Sequence, residues 1–239
     1  MEIQKLAAEI AEDILARTGR PEAIASLIDH TLLKPEATRE QVRQLCREAL
    51  NYSFATVCVN PVWVPLCASE LAGSRVKAIT VVGFPLGSTM TEVKLHEAEA
   101  ALRNGAREID MVMHTGALRS GDFDAVKSDI RSVTEVVHGA GALIKVIIET
   151  AVLDDQQKAV ACTLAKLAGA DFVKTSTGFV PGGASAHDVA LMRATVGEEM
   201  GVKAAGGIRT LEDVLLMVRA GADRIGTSAS VAIMEAARR

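Results

Sequence analysis

Eight short segments rich in β-branched residues, each followed by a helical pattern, constrain this chain more than any other feature of its sequence. The strand candidates span residues 27–33, 54–60, 77–84, 108–114, 143–150, 172–177, 202–207 and 224–228, about 28 residues apart on average, the spacing of a βα unit. Helical periodicity follows them, for example over residues 91–104, 122–138, 154–167, 186–199 and 210–220. Gly105-Ala106, Gly169-Ala170 and Gly221-Ala222 recur between a helix and the next strand, where a C-cap glycine belongs. Such alternation implies an α/β fold with a parallel sheet. Eight units favour a closed (β/α)8 TIM barrel, and residues 1–20 read as an extra N-terminal helix. One domain over residues 1–239 is expected, with the helix at 1–20 and the barrel at 27–239. No G-x-G-x-x-G and no Walker A segment supports an open nucleotide-binding sheet.

Composition narrows the partners. The net charge of −4 leaves no broad basic field for nucleic acid or an anionic membrane. At 3% aromatic residues, a stacking platform for single strands is excluded as well. No apolar run approaches the roughly 18 residues that would suggest a membrane span. The first helix carries Glu2, Glu9, Glu12 and Asp13, unlike a signal or transit peptide. Cys46, Cys58, Cys67 and Cys162 show no C-x-x-C spacing, so reduced thiols and a cytoplasmic location are expected.

A barrel strand is buried on both faces, and ionisable residues within it are costly unless paired or used. Asp110, Lys145, Lys174 and Lys203 fall on the fourth to seventh strand candidates, with Asp29, His30 and Glu149 as further candidates. One reading is a buried ion-pair network that only fills the barrel. The other is chemistry: three lysines against one nearby aspartate exceed simple pairing. Burial and a second ammonium both lower a lysine pKa, which is how a Schiff-base lysine is activated. Covalent imine formation with a carbonyl substrate, followed by carbon–carbon bond cleavage or formation, is the chemistry this implies.

Three glycine- and hydroxyl-rich segments follow late strands: Thr175-Ser176-Thr177-Gly178, Gly206-Gly207 and Gly226-Thr227-Ser228. Barrel enzymes bind phosphate in such loops through backbone N–H groups and a helix N-terminus. Ordinary βα turn chemistry accounts for any one of them. Arg209 adds charge or is simply solvated, and Gly83-Phe84-Pro85-Leu86-Gly87 forms a rim or a plain loop. His30, His96, His114, His138 and His187 are scattered, with only His30 and His114 on strand candidates, so no metal site is expected.

Seven segments then occur in order: Ile28-Asp29-His30-Thr31-Leu32-Leu33-Lys34-Pro35, Val57-Cys58-Val59-Asn60-Pro61, Val82-Gly83-Phe84-Pro85-Leu86-Gly87, Gly105-Ala106-Arg107-Glu108-Ile109-Asp110-Met111-Val112, Lys145-Val146-Ile147-Ile148-Glu149-Thr150, Phe172-Val173-Lys174-Thr175-Ser176-Thr177-Gly178-Phe179 and Lys203-Ala204-Ala205-Gly206-Gly207-Ile208-Arg209. Together they make the chain resemble the class I deoxyribose-phosphate aldolase family over nearly its whole length after the first helix. The resemblance implies reversible cleavage of 2-deoxy-D-ribose 5-phosphate into acetaldehyde and D-glyceraldehyde 3-phosphate, with no metal and no other cofactor. It makes Lys174 the Schiff-base nucleophile, Lys203 the second lysine that lowers its pKa, and Asp110 the acid/base residue. Gly178, Gly206, Gly207, Gly226 and Ser228 correspond to the phosphate cradle, with Lys145, Cys58 and Thr177 in support. Partners would be small-molecule sugar phosphates and aldehydes, and a homodimer is the assembly that similar proteins often form. Three departures stand out: His114 in place of Asn, Ser230 in place of Gly, and an ending Ala236-Ala237-Arg238-Arg239 without a tail tyrosine. The last implies slower turnover, because that tyrosine assists proton transfer in the family.

Overall fold

The computed structural model describes residues 21–238, so the helix expected over residues 1–20 lies outside the described residues. A short helix α1 (Pro21–Ala25) leads into eight parallel strands that pair in sequence order and close, β1 against β8, into a barrel. The strands are β1 (Ile28–Leu32), β2 (Thr56–Val59), β3 (Lys77–Val82), β4 (Glu108–Val112), β5 (Leu143–Ile147), β6 (Phe172–Lys174), β7 (Gly201–Ala205) and β8 (Arg224–Thr227). Between and after them run α2 (Arg39–Tyr52), α3 (Val64–Glu70), α4 (Thr91–Arg103), α5 (Thr115–Arg119), α6 (Phe123–Gly139), α7 (Asp155–Leu167), α8 (Ala186–Val196), α9 (Leu211–Arg219) and α10 (Ser230–Ala237). The (β/α)8 barrel expected from the alternation is therefore present.

Local chemistry fixes the joints. Thr38, Asp122, Asp154, Ser185 and Thr210 cap helix N-termini by accepting backbone N–H bonds. At the other end, Gly105, Gly169 and Gly221 adopt positive φ. The following alanines donate back to Ala101, Ala165 and Met217 carbonyls, closing a Schellman turn each time. Gly141-Ala142 makes the same turn after α6, a fourth instance that the sequence reading did not single out.

Aliphatic side chains such as Val57, Ile109, Ile144, Val173, Val202 and Ile225 fill the layer between strands and helices. Inside the barrel the filling is divided. Leu33, Cys58, Ile79 and Val81, with Phe84 packed against them, form a small apolar cluster. The rest of the lumen holds charge: Asp29, Glu108, Asp110, Lys145, Lys174 and Lys203 are all buried. Phe172 underlies that charge, with Lys145 and Arg224 5.9 and 5.7 Å from its ring centroid.

Every strand stops short of the C-terminal bound expected from sequence, by one residue for β1 and by three for β5 and β6. His114 is corrected accordingly. It lies beyond β4 and caps α5, its Nδ1 accepting from the Ala117 N–H at 3.1 Å.

Candidate active site

Asp110 on β4 is the hub of the buried charges. Its Oδ2 accepts from Lys174 Nζ at 2.8 Å and from Lys203 Nζ at 2.7 Å, while its Oδ1 accepts from Lys145 at 3.0 Å. The register explains the convergence, since Asp110 pairs beside Lys145 and Lys174 beside Lys203 on neighbouring strands. Contrary to what the strand pattern implies, the three lysines do not face one aspartate alone. Lys203 is also 2.5 Å from Asp29, and Lys145 also donates to Glu108 at 2.5 Å. Arg224 joins them, donating to Asp29 at 2.8 Å and to Glu108 at 3.2 Å. Glu108 was legible in principle, because it precedes Asp110 by two residues and so shares its face of the strand.

Counting partners separates the lysines. Burial works against the charged form of all three. For Lys203 the carboxylates of Asp110 and Asp29 outweigh it, and its ammonium is held above the ordinary lysine range. Lys145 is likewise held up, by Asp110 and Asp29 with help from Glu108. Lys174 has Asp110 as its one carboxylate partner among the described residues. There burial, reinforced by the nearby Lys203 charge, prevails over Asp110 and pushes the amine down. Asp110 itself, although buried, is held well below the usual carboxylate range by Lys145, Lys174 and Lys203. One amine whose charged form is disfavoured thus sits against an anion held ionised and two cations held charged.

Lys174 is also the member of this group that lines a cavity of about 320 Å³ at the C-terminal end of the barrel. The wall carries Thr177, Gly178, Gly206, Gly207, Gly226 and Ser228, as the three glycine-rich loops implied, and also Lys34 and Arg209. The backbone N–H groups of Gly178, Gly207 and Ser228 donate to no protein acceptor among the described residues. Unpaired amides and two cations around one cavity suit an anion. Lys203, Asp110 and Lys145 lie outside the lining, next to Lys174. Cys58 does not line the cavity either. It packs in the apolar cluster, and burial pushes its thiol up to about 11, so it stays protonated at neutral pH.

A model of the DeoC/LacD family aldolase matches residues 23–233. The chain belongs to the DeoC/LacD aldolase family. It is 58% identical over 217 residues to a deoxyribose-phosphate aldolase of Thermococcus gammatolerans, covering 90% of this chain and 96% of that one. A deoxyribose-phosphate aldolase of Listeria monocytogenes is 57% identical over 211 residues, covering 88% and 94%. Among solved structures, a tetrameric deoxyribose phosphate aldolase from Aeropyrum pernix superposes with a TM-score of 0.89 at 40% identity, covering 96% and 97%.

In this aldolase the loop after β6 is braced from below. Glu149, with φ of 55°, is buried beneath it and accepts from the Thr177 hydroxyl at 2.5 Å and from its N–H at 3.2 Å. Thr177 Oγ1 in turn accepts from the Phe179 N–H at 3.1 Å, which closes the turn around Gly178. The far side of that loop rests on the next one. A Cβ on Gly183 (φ +79°) would lie 2.5 Å from the Gly206 carbonyl oxygen, whereas one on Gly73 (φ +77°) would meet nothing within 4 Å. Gly73→Ala is therefore expected to cost about 1 kcal/mol from its backbone alone. Gly183→Ala should cost about 3 kcal/mol or more, because backbone must also move. Denaturant unfolding of the two variants checks this, and equal losses would remove the close approach as a cause. Gly226 has a related duty: a Cβ there would come within 3.1 Å of Lys203 Cε, so it leaves room for that side chain as well as lining the cavity.

The described residues contain one cluster of metal-ligand type, Asp155, His187 and Asp188. Lys158 already lies between its carboxylates, 3.0 Å from Asp155 and 2.6 Å from Asp188. Among the described residues no helix is long and apolar enough to cross a membrane.

Proposed function

We propose that the chain is a class I deoxyribose-phosphate aldolase, with Lys174 as nucleophile, Lys203 and Asp110 as its proton partners, and the glycine-rich loops as phosphate cradle. The observation that carries the reading is the singular status of Lys174: a buried lysine pushed down in pKa, on the wall of a cavity ringed by unpaired amides and cations.

The chemistry follows from the contacts. Neutral Lys174 attacks the C1 aldehyde of the open-chain sugar, giving a carbinolamine that loses water to form an imine. Lys203, already charged and 2.7 Å from Asp110 Oδ2, gives a proton to the carbinolamine hydroxyl, which leaves as water, and the proton displaced from Lys174 passes through Asp110 Oδ2, 2.8 Å away, to recharge it. Removal of the C3 hydroxyl proton breaks the C2–C3 bond. The electron pair moves into the imine as an enamine, and glyceraldehyde 3-phosphate departs. Protonation at C2 and addition of water then release acetaldehyde and restore the amine. The cationic imine nitrogen lies beside an ionised Asp110, which favours its formation.

Incubation with acetaldehyde and a borohydride reductant should label Lys174, located by peptide mass, and the protein should release acetaldehyde from 2-deoxyribose 5-phosphate. Absence of both sinks the reading. The labelling rate should rise with pH as Lys174 loses its proton, with a midpoint below the ordinary lysine value of 10.5. Lys203→Leu removes a lowering charge and leaves Asp110 more fully to Lys174, so the midpoint should move up. A midpoint unchanged in that variant would remove Lys203 from the tuning of Lys174.

For assembly we infer a homo-oligomer and leave the dimer and tetramer alternatives to sedimentation. The four free, buried cysteines support placing the activity in the cytoplasm.

A further inference from the structure

One chain of buried polar groups near the cavity has no part in the mechanism above. His30 lies on β1 beside Asp29, and adjacent strand residues face opposite sides. Asp29 is engaged with Lys203 and Arg224 inside the barrel, while His30 meets the helices outside it. Its Nε2 is 2.8 Å from Glu48 Oε2 on α2, and its Nδ1 is 2.8 Å from Ser230 Oγ at the start of α10. Ser230 is fully buried, and its hydroxyl also lies 3.2 Å from the Thr227 carbonyl oxygen. Ser230 is one of the three departures found in the sequence.

The hydroxyl has one proton and two acceptors in reach. With Glu48 ionised, neutral His30 keeps its proton on Nε2 and offers the Nδ1 lone pair, so Ser230 donates to His30. When His30 is protonated, Nδ1–H donates to Ser230, and the hydroxyl proton must turn to the Thr227 carbonyl. That carbonyl belongs to the peptide whose N–H is Ser228, and in a trans peptide the C=O and N–H point in opposite directions. Pinning the Thr227 oxygen against Ser230 therefore holds the Ser228 N–H directed away from Ser230, in a residue that, unlike Ser230, lines the cavity. We propose that His30, acting through Ser230, is a positioning residue that aligns the Ser228 amide for the substrate phosphate when its imidazole is protonated. The inference rests on the phosphate cradle assigned above.

The surroundings leave Glu48 in control of the imidazole. The strand partners of His30, Val57 on β2 and Thr227 on β8, are uncharged, and the Phe54 ring packs 5.1 Å from it. Tyr52 on α2 and Glu235 on α10 bond to each other, with Arg238 over the Tyr52 ring. Burial pushes His30 below its ordinary 6.5, with Glu48 opposing, so protonation belongs to the acidic side of neutrality.

The test compares phosphate selectivity, kcat/KM for 2-deoxyribose 5-phosphate divided by that for 2-deoxyribose, between pH 5 and 8. The substrate phosphate itself titrates near pH 6, but it does so in every variant and cancels in the quotient of wild type over Ser230→Ala. That quotient should be about fivefold at the acidic end, the worth of one hydrogen bond, and fall toward one as pH rises. His30→Gln cannot take up charge, so its selectivity quotient over Ser230→Ala should stay near one throughout. A flat wild-type quotient, or a His30→Gln curve that follows the wild type, overturns the inference. A Ser230→Ala loss shared equally by both sugars gives a flat quotient and marks Ser230 as structural only. If His30→Gln does not fold, the Ser230→Ala comparison decides alone. Wild-type protein inactive on both sugars overturns the aldolase reading and this inference with it, whereas a flat quotient in an active enzyme overturns this inference only.

Discussion

Replacing Lys174 by Met is expected to lower kcat/KM for aldol cleavage by about 10⁴-fold or more, since no covalent route remains. Lys203 cannot take its place: Asp29 and Asp110 hold that ammonium charged, and a protonated amine is no nucleophile. The fold should survive the change. Methionine has nearly the length of the lysine stem, and Asp110 keeps Lys145 and Lys203 as partners. Losing one cation from a group with four cations and three carboxylates also relieves repulsion, so thermal stability should be unchanged or slightly higher. A coupled assay for glyceraldehyde 3-phosphate, read beside the melting temperature, checks both halves. Retention of more than a few per cent of activity would place the Schiff base on another residue.

Asp110→Asn carries the opposite signature, with a large loss in stability as well as in rate. The amide leaves Lys174 with no carboxylate and strips Lys203 and Lys145 of one of their two, and removing one partner of a buried ion network costs about 3–5 kcal/mol. Turnover should fall by about 10³-fold, the scale of losing a positioned proton carrier. The pH dependence gives a sharper test. Without Asp110 the Lys174 pKa falls further below that of the unfolded chain and the upward shifts of Lys203 and Lys145 shrink, so relative to wild type the folded variant binds fewer protons and gains stability as pH rises. The gap between wild type and variant should therefore be wide at pH 7 and narrow as pH approaches 10. A gap independent of pH would mean that the aspartate acts through shape and not through charge.

The fold was legible because the strand-then-helix pattern repeats eight times with little interruption, four of its helices ending on a glycine turn. Strand ends were not. Residues 148–150 and 175–177 continue the apolar or β-branched pattern of β5 and β6, yet their backbone turns away to build the cavity. Glu149 adopts a left-handed conformation, and Thr175 to Thr177 lead into the Gly178 turn. Composition cannot register a change of backbone direction that distant loops impose. In the site, Lys174, Lys203, Asp110 and Lys145 stood out as charges in aliphatic strands, and they converge. Glu108 and Arg224 were overlooked because they begin their strands, where charge is unexceptional. Lys94 was overlooked for another reason. It looks like a solvated helix residue, but its ammonium is fully buried against Asp129 at 2.6 Å and the Val112 carbonyl at 2.9 Å. Only packing of α4 on α6 makes that pair. Cys58 could be read either as support near the mouth or as a small core hydrophobe, and it packs among aliphatic side chains.

The charges inside the barrel are also sorted along the chain. Asp29, Glu108 and Asp110 belong to β1 and β4, while Lys145, Lys174, Lys203 and Arg224 belong to β5 to β8. Cut between β4 and β5, the barrel becomes a half whose buried lumen charges are carboxylates, with Lys77 at the rim beside Glu108, and a half whose lumen charges are cations. Neither half can bury its interior alone, and each is the counter-ion of the other. As the chain leaves the ribosome, the first four strands carry Asp29 and Asp110 without a lysine or arginine partner until the second half arrives, and Glu108 with only Lys77 at 3.7 Å. The groups assigned to catalysis therefore also join the first half of the barrel to the second.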